Sequence, residues 1–140
     1  MAEFAFVDSS FLVARFNTGD RDHKEAIRFT EEQRDGAGEA FRLVLSDYVF
    51  DETVTALAIR SKRHALAVSG GRAILESRNL RILRVETPVF ESAWKLFVRS
   101  QDKRWSLTDC TSFVLMQNLG IRKALTFDAN FRQAGFATFP

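Results

Sequence analysis

Short apolar runs alternate with helical stretches along the whole chain, and this alternation narrows the folds open to it. Apolar runs occupy residues 3–8, 42–46, 80–85 and 123–127, with a further candidate at 136–139. The first, Glu3-Phe4-Ala5-Phe6-Val7-Asp8, is nearly continuous in its apolar character. Such runs fit strands buried on both faces, as in a parallel sheet. Between them the pattern predicts helices over 11–16, 22–34, 47–62, 64–78, 88–100 and 106–118, and a short helical turn before Gly135. Asp47 offers cap chemistry for the third of these, and Pro88 suits the first turn of the fifth. Gly70-Gly71 weakens the middle of the fourth, and Asp35-Gly36-Ala37-Gly38 breaks the second. Strands alternating with helices predict an α/β three-layer sandwich, with a central, mostly parallel sheet of four or five strands and helices on both faces. With no internal repeat or linker, residues 1–140 are expected to form a single domain.

Composition excludes several classes. Cys110 is the only cysteine, so no intrachain disulfide scaffold or thiolate zinc site is available, and two histidines do not compensate. One unpaired thiol, with no secretory signal and no apolar run of membrane length, predicts a cytoplasmic protein. The chain has 14 Phe against two Trp and one Tyr, and Phe has no polar handle, so most should lie in the core. The net charge of +2 hides a pattern: −6 over residues 1–59, +6 over 60–84 and +2 over the remainder. A basic middle segment is able to track a phosphate backbone.

Carboxylates carry the chemistry. Asp8 and Asp128 follow predicted strands, where α/β sheets bind ligands. If the two strands are neighbours, these acids share one crevice. Glu52 lies on a helix in company with Ala56 and Ile59, and Asp109 shares a face with Phe113 and Met116. Neither has a Lys or Arg three or four positions away, so a helical ion pair does not explain them. A carboxylate on an inward stripe needs a partner or a metal. Each acid also has a plainer role: Asp8 as a helix cap, Asp109 as the acid of a capping box begun by Ser106, Glu52 as a solvated helix residue, Asp128 as a turn aspartate. Together, four carboxylates repel unless a cation sits among them. Oxygen ligands favour Mg²⁺ or Mn²⁺, in one or two ions, and suit phosphodiester hydrolysis by a metal-activated water.

Phe6-Val7-Asp8-Ser9-Ser10, Phe50-Asp51-Glu52-Thr53, Ser106-Leu107-Thr108-Asp109-Cys110 and Leu125-Thr126-Phe127-Asp128-Ala129-Asn130-Phe131 occur in that order. With the ending Gln133-Ala134-Gly135-Phe136, they make the chain resemble the PIN-domain ribonucleases, and more narrowly the VapC-type toxins of toxin–antitoxin pairs. The resemblance implies a Mg²⁺- or Mn²⁺-dependent endoribonuclease that leaves a 5′-phosphate and a 3′-hydroxyl. It carries Asp8, Glu52, Asp109 and Asp128 over as the catalytic, metal-binding acids, with Ser10 and Thr108 in support. It also implies a VapB-like antitoxin and a homodimer. Arg15, Lys103 and Arg104 are candidate RNA contacts, with residues 60–84 as an outer track. Trp105 fits base stacking or packing equally, Cys110 reads as core, and His23 and His64 read as exposed.

Other readings compete. A PIN-fold RNA-processing nuclease without an antitoxin has the same site. A catalytically silent PIN-fold binding module is disfavoured by the four intact acids. A phosphoacceptor receiver domain needs paired acids after the first strand and a Lys after the last, whereas Ser9-Ser10 follows Asp8 and no Lys follows Phe136.

Overall fold

The computed structural model describes residues 3–36 and 40–140. In chain order it contains β1 (Glu3–Val7), α1 (Ser9–Phe16), α2 (His23–Arg34), β2 (Phe41–Ser46), α3 (Asp47–Ser61), α4 (His64–Glu76), β3 (Leu80–Leu83), α5 (Thr87–Arg99), α6 (Leu107–Leu119), β4 (Lys123–Leu125), α7 (Asn130–Gln133) and β5 (Ala137–Phe139). The strands form one sheet in the order β3-β2-β1-β4-β5, and every pairing is parallel. Right-handed crossovers from β1 to β2 to β3 place α1 to α4 on one face; the jump from β3 to β4 reverses direction and places α5 to α7 on the other. The expected three-layer architecture is present, with five strands.

Strand pleat distributes the core between these layers. Along β1, Ala5 and Val7 point to one face and Phe6 to the other, and all three have 0% exposure. Phe6 packs on Phe131 at 6.3 Å between ring centroids, and Phe131 meets Phe113 of α6 edge-on at 5.0 Å. A second aromatic group joins Phe11, Phe29, Phe139 and Phe41. All phenylalanines except Phe4, Phe90 and Phe97 are buried or packed against the core, as their missing polar handle predicts.

Four local expectations need correction. Asp47 is not the cap of α3: Ser46 is, its Oγ accepting from the Val49 N–H at 3.1 Å. The Asp47 carboxylate instead accepts from the Val85 N–H at 2.9 Å and tethers the end of β3. That strand stops at Leu83 because β2, its partner, stops at Ser46. Gly70-Gly71 does not interrupt α4, which runs through to Glu76; a Cβ at Gly70 would sit 2.8 Å from Leu57 Cδ1, so the glycines let α4 approach α3 closely. His23 is half-buried rather than exposed, and its Nδ1 meets the Ala14 carbonyl at 2.7 Å, pinning α2 to α1. The break expected at Asp35–Gly38 lies partly outside the described residues; α2 ends at Arg34 and Gly36 has φ +70°. No described helix is long and apolar enough to cross a membrane.

Candidate active site

Strand order changes direction at β1, and the crevice beyond β1 and β4 is where such sheets bind ligands. Asp8 stands at its floor. Its backbone N–H donates to the Leu125 carbonyl at 2.9 Å, one rung past the end of β1, which fixes the residue against β4. Its side chain caps α1. Ser10 Oγ donates to Asp8 Oδ2 at 2.7 Å, Thr126 Oγ1 donates at 2.9 Å and the Ser10 N–H at 3.4 Å. All three donors converge on Oδ2. No described residue donates to Oδ1, yet among the described residues no fully buried polar side-chain atom lacks a partner, so Oδ1 is the oxygen that meets the crevice.

Asp109 repeats this division. A full capping box forms at the start of α6: Ser106 Oγ accepts from the Asp109 N–H at 2.9 Å, and Asp109 Oδ2 accepts from the Ser106 N–H at 3.0 Å. Asn130 Nδ2 donates to the same Oδ2 at 3.0 Å and to Asp128 Oδ2 at 3.3 Å. Glu52, half-buried on α3, accepts a short hydrogen bond from Ser9 Oγ. Asp128 is exposed and accepts from the Asn130 N–H at 3.1 Å.

Asp8, Glu52, Asp109 and Asp128 therefore line one crevice of about 320 Å³, drawn from a strand end, two helices and a second strand end. Burial, opposed by the Ser10 hydrogen bond, pushes the Asp8 carboxyl from 3.8 up to about 7; the charges of Asp109 and Glu52 push the same way. Burial also raises Asp109, against hydrogen bonds from Ser106 and Asn130, and Asp128 and Glu52 add to the rise. The site holds its acids by hydroxyls and an amide rather than by cations. Among the described residues, no three acidic, His or Cys side chains converge closely enough to enclose an ion.

Ser10 lies in the crevice as expected. Thr108 does not; it lines a neighbouring depression with Asp51, Thr55 and Ile59. Arg104 reaches the crevice, whereas Arg15 and Lys103 are not among its lining residues. The Arg15 guanidinium lies 5.5 Å from the Phe16 ring centroid, and Lys103 pairs with Asp102 at 3.6 Å. The Glu52 face is also less inward than its sequence neighbours suggested. Ile59 is 69% exposed, and α3 buries Val49, Thr53 and Leu57 instead. Trp105 packs: it meets Phe113 edge-on at 5.0 Å and donates to Gln133 at 3.3 Å.

Sequence reasoning passed over Ser9, Thr126 and Asn130, which hold the acids, and did not single out Arg60 within its basic segment. A usable signal existed for Asn130, since Asp-Ala-Asn favours a turn that returns the amide to the aspartate.

Comparison with known proteins identifies the family. The PIN domain family matches residues 5–137. The chain is 37% identical over 131 residues to the 23S rRNA-specific endonuclease VapC20 of Mycobacterium tuberculosis, covering 94% of each protein. The crystal structure of that VapC20, named a sarcin–ricin loop cleaving toxin, superimposes with a TM-score of 0.83 at 35% identity, over 95% of this chain and 96% of that one. FitAcB from Neisseria gonorrhoeae shares the fold at 13% identity, with a TM-score of 0.67 over 98% of this chain and 97% of its own. By its acid-lined switch point and by these matches across nearly its full length, the chain belongs to the PIN-domain family, among its VapC-type members.

Proposed function

We propose that the protein is an endoribonuclease toxin that cuts 23S ribosomal RNA, with Asp8, Glu52, Asp109 and Asp128 as its catalytic acids. The observation that carries this reading is the meeting of the four carboxylates in one crevice with arginine at its rim. VapC20, similar over 94% of the chain, acts on 23S rRNA, and that supports the choice of substrate. It also favours a toxin over a processing nuclease without an antitoxin.

In kind, the donors fit a hard divalent cation: all are carboxylates, and Asp8 and Asp109 each keep one oxygen clear of donors. Asp8 and Asp109 would hold Mg²⁺ or Mn²⁺, with Glu52 and Asp128 completing the shell through water, since no three acidic side chains among the described residues converge closely enough to ligate it together. When bound, such an ion supplies Lewis-acid polarisation of the scissile phosphate and a more acidic water. The chain's own residues prepare the site. Ser10 and Thr126 fix Oδ2 of Asp8 and so aim Oδ1, Asn130 ties Asp109 to Asp128, and Ser9 sets the rotamer of Glu52. Arg104 attracts the RNA backbone towards an otherwise repulsive acid cluster.

The test is cleavage of purified ribosomes and of naked 23S rRNA, with 5′ ends mapped by primer extension. Mn²⁺, EDTA and the Asp8→Asn/Asp109→Asn protein are compared. Cuts at a few sites that need the ion and vanish in the variant are expected; cleavage unchanged in the variant would sink the assignment. The same reading includes a VapB-like antitoxin and a homodimer. Light scattering of the protein alone, and after co-expression with the product of an adjacent small gene, tests both.

A further inference from the structure

Two guanidiniums at the crevice are unengaged. Arg60, on α3, and Arg104, in the 101–106 loop, both line the pocket that holds the acids. Neither has an ion pair, hydrogen bond or aromatic face among the described residues. Arg21, Arg28, Arg84, Arg15 and Arg42 are occupied by carboxylates or aromatic rings, and the other unengaged arginines, Arg63, Arg72, Arg78, Arg81, Arg122 and Arg132, do not line the acid crevice; Arg60 and Arg104 are the two that do.

Arg60 is placed more tellingly than Arg104. It lines three adjoining depressions: the acid crevice, a larger one of about 540 Å³ walled by Asp20, Asp22, Phe127 and Asp128, and a third with Asp51 and Thr108. It is the junction of the grooves that meet at the acids. Glu52, Ala56 and Arg60 also follow one another at four-residue spacing on one face of α3. Arg60 is therefore fixed to Glu52 by a rigid element, with its Cα about 12 Å further along the helix. A guanidinium presents a planar fork suited to a phosphate, and a polyanion nears four carboxylates only where positive charge offsets them.

We propose that Arg60 is a phosphate-positioning residue: with Arg104, which lines the same crevice, it grips the RNA backbone beside the scissile phosphodiester and sets which bond lies over the acids. This rests on the ribonuclease reading, and the test separates the two.

The protein used is the full chain carrying Asp8→Asn, so that binding is read without cleavage. The probe is a fluorescein-labelled oligonucleotide with the sarcin–ricin loop sequence, followed by anisotropy at several salt concentrations. Adding Arg60→Ala is expected to raise Kd about tenfold, the scale of one charge-assisted contact. It should also flatten the slope of log K against log salt by about 0.7, the loss of one single-strand phosphate contact. Arg60→Lys should recover the slope and part of the affinity. Arg122→Ala removes the same charge beside β4 at the opposite end of the sheet and should change neither. With Asp8 intact, Arg60→Ala should raise KM while kcat holds and the melting temperature is unchanged. If Arg60→Ala behaves like Arg122→Ala, the positioning role is overturned and the nuclease reading stands. If the Asp8→Asn parent does not bind RNA, both fall.

Discussion

Replacing Asp8 by Asn is expected to stabilise the metal-free protein at pH 8 and to lose that gain as the pH falls towards 4. The carboxyl is held at about 7 in the fold against 3.8 for the free group, chiefly by burial. Between those values the folded state holds a proton that the unfolded chain has released. Stability therefore falls as pH rises through this window and levels off above the folded value. At about 1.4 kcal/mol per pH unit, the gap costs the ionised wild type roughly 4 kcal/mol above pH 7. Asparagine removes the charge at almost constant shape. It caps helices about as well as aspartate, so the α1 cap is retained. Its carbonyl oxygen is able to take the place of Oδ2 and accept from Ser10 and Thr126. Against the gain stands the loss of a negative charge at a helix N-terminus, about 0.3–1 kcal/mol. A net stabilisation of about 2–4 kcal/mol remains at pH 8. Urea unfolding of both proteins in EDTA, at pH 8, 6 and 4.5, measures it. A destabilised variant at pH 8, or a difference that does not shrink with falling pH, would show that the ionised carboxylate supports the fold and that the burial argument is wrong.

Three further outcomes are expected. Mg²⁺ or Mn²⁺ at a hundredfold excess over its Kd should stabilise the wild type by about 2.7 kcal/mol and leave Asp8→Asn/Asp109→Asn unmoved, as read by melting curves. Gly70→Ala should cost about 1–2 kcal/mol in urea unfolding: the new Cβ lies 2.8 Å from the fully buried Leu57, and the strain outweighs the gain in helix propensity. Cys110 has 0% exposure and burial pushes its thiol up to about 11, so a disulfide reagent at pH 8 should label it only at the rate of unfolding.

Elements were more legible than contacts. The apolar runs marked all five strands because a strand buried on both faces has little choice of residue, and β1 shows this at Ala5, Phe6 and Val7. Strand order was not legible. That β1 lies beside β4 depends on pairings more than a hundred residues apart, and no local pattern encodes them. Asp8 and Asp128 were found because they end predicted strands, and Glu52 and Asp109 because each stood on an apolar helix stripe with no basic partner at helical spacing. Their plainer roles turned out not to compete with a site: Asp8 and Asp109 each cap a helix with Oδ2 and keep the other oxygen free. Arg15 and Lys103 were misplaced because closeness in sequence to Asp8 and Asp109 says nothing of the direction of a long side chain. Asn130 and Thr126 were missed because a small polar residue in a turn already has an ordinary explanation.

The order of the sheet has a consequence for synthesis. β1 is made before the other strands of the sheet, yet one of its two neighbours, β4, follows more than a hundred residues later, after β2 and β3. A chain halted before residue 123 can pair β1 with β2, and β2 with β3, but presents the other edge of β1 bare. It lacks Thr126 to fix Asp8, Asn130 to hold Asp109, and Asp128 altogether. Every product halted there is thus short of part of the crevice and carries an open strand edge that favours aggregation and disposal. On the toxin reading, the topology keeps a cell's own unfinished copies harmless until β4 and the turn from Thr126 to Asn130 have been made.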